Sequence, residues 1–514
     1  MTTVAGQVFA LAPGNKLPGA YLQSIFGVRS DAAPPNRALL LIGAKALSGG
    51  TLTADTEYKE VLADGDEVTL TGNDGNELAR MARMARRVWS GRLFLATVTQ
   101  ATNAAATSTL TVGGTWTVAS SGPIQLSIGG QPLDVFASAV DTATTFAAAV
   151  VTAVTLNKNL PVTAANVDGV VTFTWKSYGT RGNDGILFVD GTFKPSGMTL
   201  AVAGGASVSS GGVRFTGGTG TEDMSTLLTN VAVEQFWTTA CSIIDATNLA
   251  RLEAYLDAKC GPTVRLFENH VVGTTKAFAA ATSLAQTTLD NARMQMVFQE
   301  EGETPGEEQA AWMAGLRTTR EIINPNTKYD GIVTPFIPQR ATSKRMSYAA
   351  QVAALDVGLT CIPTKNNVAY VARAITTRSL TSTGAVDDGT IDVGQARVPD
   401  VVNEEIGGLW LTYTDAEDTT AHHYLVNNPS PGNEADVPAG TTYPADWQQQ
   451  VTLYMKSREA TPFGWVTEVD EHPTVVNMHP TASSPRFVQY TPVIVTPLTH
   501  QLEGTIAQTK FSPT

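Results

Sequence analysis

Apolar residues in this chain occur in short blocks whose spacing changes along its length, and the changes mark its organisation. In "RALLLIGAK", Ala38 to Gly43 form an apolar run flanked by Pro34, Pro35 and, later, Gly49 and Gly50, which predicts a buried strand. "NELARMARMARRV" puts Leu78, Met81, Ala85 and Val88 on one stripe at helical spacing and Arg80, Arg83 and Arg87 on another, the pattern of an amphipathic helix. "GRLFLATVT", Arg92 to Thr99, is a second strand and completes a β-α-β unit. The arginine stripe then faces away from the sheet, either as a solvated face or as a docking face for an acidic partner.

From about residue 101 to 212 the composition shifts sharply, and Thr, Val, Ala and Gly dominate. Ile124, Leu126 and Ile128 alternate with polar residues before Gly129-Gly130, a hairpin signature. "DTATTFAAAVVTAVTL" places Phe146, Ala149, Val150 and Ala153 on one helical face, so this block is α+β.

After "AGGASVSSGGVRFTGGTG" the α/β grammar resumes. "FWTTACSIID" reads as a strand, and "ATNLARLEAYLDAKCGP" as a helix with Leu249, Leu252 and Leu256 inside and Gly261-Pro262 as its stop. "MQMVFQE" is another strand. "TPGEEQAAWMAGL" opens a helix with Thr304 at the N-cap, Pro305 at the first helical position and Glu307 closing a capping box. A third unit follows: a strand "GIVTPFI", a helix around "SKRMSYAAQVAAL" and a strand "VAYVARAIT". The α/β pattern of residues 30 to 99 is thus interrupted and continues at about 220 to 378, one domain inserted into another.

The last part holds an amphipathic helix near "ADWQQQVTLYMKSRE" and closing strands in "RFVQYTPVIVTPLTHQLEGTIAQTKF". A strand such as Val488 to Val495 presents unpaired backbone groups, a hazard alone and an adhesive when a neighbouring edge is supplied.

Charge and chemistry narrow the function classes. The net charge is −13 and no Lys/Arg run offers a phosphate-binding track, which disfavours direct nucleic-acid binding. Cys241, Cys260 and Cys361 lack metal spacing and read as buried thiols. The N-terminus has no basic region before an apolar core, and no stretch of about 18 apolar residues occurs, so neither secretion by that route nor membrane insertion is expected.

"GGTGTED", Gly217 to Asp223, lacks the glycine spacing of a dinucleotide fingerprint and the Gly-Lys-Ser/Thr of a P-loop, and Glu222 and Asp223 would repel phosphate. It reads as a helix start. "QEEGETPGEEQ" crowds Glu300, Glu301, Glu303, Glu307 and Glu308 without the spacing of a calcium loop, and reads as a solvated helix cap favoured by the dipole. The six histidines are scattered; only His422 and His423 are adjacent. No zinc helix, serine elbow or cysteine nucleophile signature appears. Neither cofactor nor metal is expected.

"KLPGAYLQSIF", with Pro18, Gly19 and Tyr21, followed by "PPNRALLLIGAKA", resembles the start of contractile-tail sheath proteins. The order of segments is similar to the sheath of Mu-like phages: an "LLLIGAK" strand, an "ELARMARMAR" helix, a β-rich insertion holding "VTFTWKSYGTRGNDG", a "GGTGTED" helix start, and "VARAITTRS" before the final part. The similarity is strongest over about 15 to 100, 165 to 265 and 368 to 380, and does not extend to "EHPTVVNMHPTASSPRF".

The resemblance implies a mixed α/β and α+β protein with a sheath-type α/β core, an inserted β-rich domain and extended terminal arms. The expected divisions are an N-terminal arm (1–30), the core (31–100 and 217–378), the insertion (101–216), a C-terminal sheath domain (379–485) and a C-terminal strand arm (486–514). It further implies a non-enzymatic subunit of a virion tail, assembled in the host bacterial cytoplasm. Six copies would form a ring, and rings would stack helically around a tail tube protein, meeting baseplate and tail terminator proteins at the ends. Contraction would drive the tube through a cell envelope. Arm residues would be Pro18, Gly19, Tyr21, Val488, Tyr490, Val493 and Val495, and candidate tube-facing residues Trp447, Lys456 and Arg458. Two rivals stay open: another self-assembling virion protein, and an α/β enzyme with a β-rich accessory domain.

Overall fold

Strand β1 (Leu39–Ala44) is buried at every position, and its alternation sends Leu39 and Leu41 to one side and Leu40 and Ile42 to the other. A strand apolar on both faces suits the middle of a parallel sheet covered by helices on both sides. That is its place in the computed structural model, which describes residues 37–46, 49–101, 103–261, 264, 266–378, 390–413, 424–425, 441–460, 464–478 and 487–496. The chain divides into two compact units, Met1–His423 and Tyr424–Thr514.

In the first unit β1 is followed by β2 (Tyr58–Glu60), α1 (Asp66–Thr71), α2 (Glu77–Arg86) and β3 (Leu93–Val98). The chain then leaves the core for β4 (Ala105–Gly114), β5 (Ile124–Ile128), β6 (Gln131–Val135), α3 (Ala143–Leu156), β7 (Val162–Val167), β8 (Val170–Tyr178), β9 (Ile186–Asp190), β10 (Met198–Ala203) and β11 (Val213–Arg214). It returns through α4 (Ser225–Val231), β12 (Thr238–Cys241), α5 (Ala246–Lys259), β13 (Asn269–Thr274), α6 (Phe278–Ser283), β14 (Met294–Phe298), α7 (Gly306–Glu321), α8 (Tyr348–Asp356), β15 (Leu359–Cys361) and α9 (Val393–Tyr413).

The core sheet has the order β15-β14-β13-β12-β1-β3-β2, parallel except for β2, which lies antiparallel on β3. Residues of α4, α5, α6 and α8 share one apolar layer with Leu40 and Ile42; those of α2 and α7 share the other with Leu39 and Leu41. The strand order reverses at β1: the chain first moves outward to β3, and after the excursion it returns on the opposite side at β12.

The excursion is two antiparallel sheets, β10-β4-β8-β7 and β11-β9-β5-β6, whose inner faces and α3 enclose Leu110, Leu126, Phe146, Phe173 and Trp175. The β5–β6 turn is Gly129-Gly130 with φ of 54° and 75°, the left-handed pair a two-residue hairpin turn requires. Helix α3 starts with a capping box between Thr142 and Thr145, which offsets its β-branched content.

Three local expectations are corrected. "GIVTPFI" is not a strand: among its residues only Val333 makes a ladder bridge, to Tyr370, because Pro335 and Pro338 interrupt the donors a strand needs. "VAYVARAIT" contributes a two-residue ribbon, Val368–Ala369 on Thr364–Lys365; the sheet's last strand is β15, just before it. At α7 the N-cap is Pro305 and no side chain caps it, while Thr304 Oγ1 accepts from the Ile337 amide at 3.3 Å. Helix α9 packs within the first unit, with Arg293 forking onto Asp400 at 2.9 and 2.7 Å.

In the second unit helix α10 (Pro444–Glu459) lies on an antiparallel ribbon of Val475–Met478 and Phe487–Tyr490, with Val475 opposite Tyr490 and Met478 opposite Phe487. The Val476 amide donates to Gln448 Oε1 at 3.3 Å and Trp447 Nε1 donates to Gln489 Oε1 at 2.6 Å, so helix and ribbon are tied on both strands.

Candidate functional site

In open α/β sheets the ligand crevice lies beyond the carboxyl ends of the strands where the strand order reverses. Here that point is between β1 and β12, and the groups around it are Gly43, Glu77 and Ser242. Glu77 opens α2, where the dipole favours a carboxylate. Its Oε1 accepts from the Ala44 amide and from Ser242 Oγ, both at 2.8 Å. A Cβ on Gly43 would stand 3.2 Å from that oxygen, so glycine leaves the carboxylate its space.

The crevice is filled by the insertion. Arg181, in the turn after β8, inserts its guanidinium into it, ion-paired to Glu77, donating to Glu222 Oε1 at 2.8 Å and lying 3.5 Å from Ser242 Oγ. Glu77 and Glu222 are almost wholly buried, so the arginine neutralises two carboxylates that would otherwise be costly to bury. Beside it is a cavity of about 280 Å³ bounded by Thr180, Arg181 and Asp184 of the insertion and by Ile244, Asp245 and Lys276 of the core. Its charges are mutually engaged: Lys276 pairs with Asp184 at 2.8 Å, and Asp245 accepts from the Asn248 amide at the start of α5.

The acidic run is part of the same seam, which corrects its reading as a solvated cap. Glu303 is buried, accepts from Ser127 Oγ of the insertion at 2.7 Å and pairs with Arg340 at 2.6 Å, while Arg340 stacks over the Phe188 ring at 4.3 Å. Glu301 accepts from the Ser209 amide of the insertion at 2.8 Å, and Glu300 pairs with Lys344 at 3.0 Å. Glu307 and Glu308 meet the arginine stripe of α2: Arg80 pairs with both, at 3.1 Å for Glu307, and lies 5.8 Å from the Trp175 ring centroid. Burial raises the Glu308 carboxyl above the ordinary range even with Arg80 against it. The stripe therefore divides: Arg80 is buried on this intramolecular acidic partner, Arg83 is half-buried on Glu67 and Asp74, and Arg87 is exposed. Among the described residues no group of His, Cys, Asp and Glu is arranged to hold a metal ion, and no helix is long and apolar enough to cross a membrane.

The arm residues Pro18, Gly19 and Tyr21, and His422 and His423, lie outside the described residues. Val488 and Tyr490 belong to the Phe487–Tyr490 strand, which is paired along one edge within its own chain and not unpaired as its sequence suggests. Tyr490 is exposed, Val493 is half-buried, and Val495 bridges Val466. Trp447 is buried against the ribbon, and Arg458 is buried over the rings of Trp465 and Tyr454 at 4.7 and 5.1 Å. Lys456 is at the surface, 2.6 Å from Asp470. Arg181 and Ser242 were not singled out by sequence; the only signal is one arginine between glycines in "YGTRGNDG".

No family model matches the chain, and no curated protein does. Among solved structures it is similar to a sheath tail protein of Desulfitobacterium hafniense, with 13% identity and a TM-score of 0.43 over 90% of this chain and 97% of that one. It is also similar to a chain of the anti-feeding prophage baseplate, with 11% identity and a TM-score of 0.35 over 53% of this chain and 68% of that one. A third is the sheath complex, in its contracted state, of an extracellular contractile injection system, at 11% identity and a TM-score of 0.33 over 50% of this chain and 68% of that one.

Proposed function

We propose that this chain is a structural subunit of a contractile-tail sheath, without catalytic activity, that polymerises around a tail tube and shortens to drive the tube through a cell envelope. Six copies form each ring, rings stack helically, and baseplate and terminator proteins close the ends of the virion tail, which is assembled in the host bacterial cytoplasm. The observation that carries the reading is the role of one segment of the resemblance: "VTFTWKSYGTRGNDG" runs through β8 and delivers Arg181 to the switch-point crevice. A doubly wound sheet whose ligand crevice is stoppered by its own insertion suits a rigid building block better than an enzyme.

Neighbours are linked by the arms, Pro18 to Tyr21 at one end and Val488 to Val495 at the other, the latter through the edge of Phe487–Tyr490 that Val475–Met478 leaves open. Backbone pairing of this kind contributes roughly 1 kcal/mol per hydrogen bond and can persist while subunits rotate. Of the three candidate tube-facing residues Lys456 is the exposed one. Electron microscopy of the full chain beside a version ending before Arg486 tests this: hollow helical cylinders lost on truncation are expected, and a discrete globular oligomer in both samples would return the enzyme reading.

A further inference from the structure

Along the seam a lysine of the insertion lies against the arginine face of the core. Lys176 is on β8, and its backbone amide donates to the Pro161 carbonyl at 2.7 Å. Its Nζ donates to the Lys158 carbonyl at 2.9 Å and rests on Gly75, in the turn that leads into α2. A Cβ on Gly75 would collide with the Leu160 carbonyl and with Lys176 Nζ, so glycine lets both segments of the insertion close on the core there. Arg83 joins the same corner, its Nη1 donating to Asn159 Oδ1 and to the Asp74 carbonyl, both at 2.9 Å.

The charges that act on Lys176 are Arg80 and Arg83 of α2 and Asp74 of the turn before it, and Lys158 is exposed beside it on the insertion. The carboxylates of this corner are already held by the arginines. Arg83 takes Asp74 at 3.2 Å and Glu67 at 3.1 Å, and Arg80 takes Glu307 and Glu308. Among the described residues Lys176 makes no ion pair, so a protonated Lys176 would be half-buried near two guanidiniums with only a carbonyl as partner. Burial, and after it Arg80, bring the amine down to about 8, with Arg83 adding to them and Asp74 opposing. Near neutral pH a sizeable share of this lysine is therefore the free amine, whose lone pair is a nucleophile.

We propose that Lys176 is a site of covalent modification, the amine on this chain that takes a small activated acyl group from an acyl phosphate. The lone pair of Nζ attacks the acyl carbon, the N–C bond forms, and the C–O bond to phosphate breaks. Phosphate leaves with that electron pair, and the surplus proton on nitrogen goes to water. Half-burial admits a group of acetyl size and turns away a bulky one. Acylation removes a charge that opposes Arg80 and Arg83 across the seam, so it acts on how firmly the insertion is held. The inference goes beyond the sheath reading and does not depend on it.

The test is timed acetylation of the full chain with acetyl phosphate, read lysine by lysine by peptide mass spectrometry. At about pH 7.5 Lys176 should be acetylated about tenfold faster than the exposed Lys158 and Lys365. Its rate should level off above about pH 8, whereas that of an ordinary lysine keeps rising to about pH 10. A biotin active ester should reverse the order and label Lys158 and Lys365 first. R83Q releases Asp74 to Lys176 and should slow its acetylation about threefold or more, while D74N should leave it as fast or faster. Acetylation of Lys176 no faster than that of Lys158 and Lys365, or a rate still rising at about pH 10, overturns the proposal. So does a rate unchanged in R83Q, a fall in D74N, or preferential labelling of Lys176 by the bulky ester.

Discussion

The two sheets of the insertion and the seam that joins the insertion to the core are held by different physics. Between the sheets lie Leu110, Leu126, Phe146 and Phe173, fully buried and apolar. Across the seam lie Arg181 with Glu77 and Glu222, and Ser127 with Glu303; beside it, within the core, Arg80 pairs with Glu307 and Glu308 and lies 5.8 Å from the Trp175 ring centroid of the insertion. An apolar layer stabilises by area and tolerates sliding; buried ion pairs add little net stability but penalise every arrangement except the paired one. The insertion is therefore made stable by its own core and given its orientation by charge.

The largest effects should come from leaving either side of this comparison half-made. R181M strands two buried carboxylates and should cost about 3 to 5 kcal/mol, with the insertion melting separately from the core in calorimetry. F173A should cost about as much through a cavity, and only the first should be recoverable: adding E77Q and E222Q to R181M should restore most of the loss, whereas no polar change rescues F173A. One cooperative transition in R181M at wild-type temperature would mean that the seam does not hold the insertion.

A buried charge confined to the core sharpens the point. Burial pushes the Glu268 carboxyl up, but Lys259 at 2.5 Å and His270 at 2.8 Å outweigh it and bring it down to about 2. A carboxyl depressed on folding contributes stability that is full above its unfolded value near 4.5 and lost as pH falls toward about 2. Urea titrations between those values should show that slope in the wild type and a shallower one in E268Q. Smaller still, E303A removes the acceptor of Ser127 and should cost about 1 to 3 kcal/mol, read as faster proteolysis at the seam. Replacing exposed Arg87 by Ala should stay within about 0.5 kcal/mol of wild type in stability, which separates the seam arginine Arg80 from its neighbour on the same helix.

Elements long enough to repeat a period were legible in the sequence: α2 and α5 by their apolar stripes, β1 and β3 by continuous apolar runs, and the β5–β6 hairpin by alternation ending in two glycines. Strand β15 was not, because Leu359–Cys361 is shorter than any period, and "GIVTPFI" misled because an apolar run between prolines can be a packed loop. The seam was invisible for a different reason. Arg80 and Glu308 are 228 residues apart, and each pattern alone has a local explanation, a solvated stripe or a helix cap. Only folding brings them together, and it turns two surface features into one interior.

The excursion from the core sheet also begins and ends at one place. Ala104 bridges Thr219 and Thr107 bridges Thr216, so the outgoing and returning strands are stitched together where they leave the core. Because the loop closes on itself before the core has to close it, exchanging everything beyond those bridges for a short turn adds little chain entropy to the folding of the sheet. The molecule is built as a frame with a replaceable cassette, and a lineage can change what the frame carries outward while the frame stays the same.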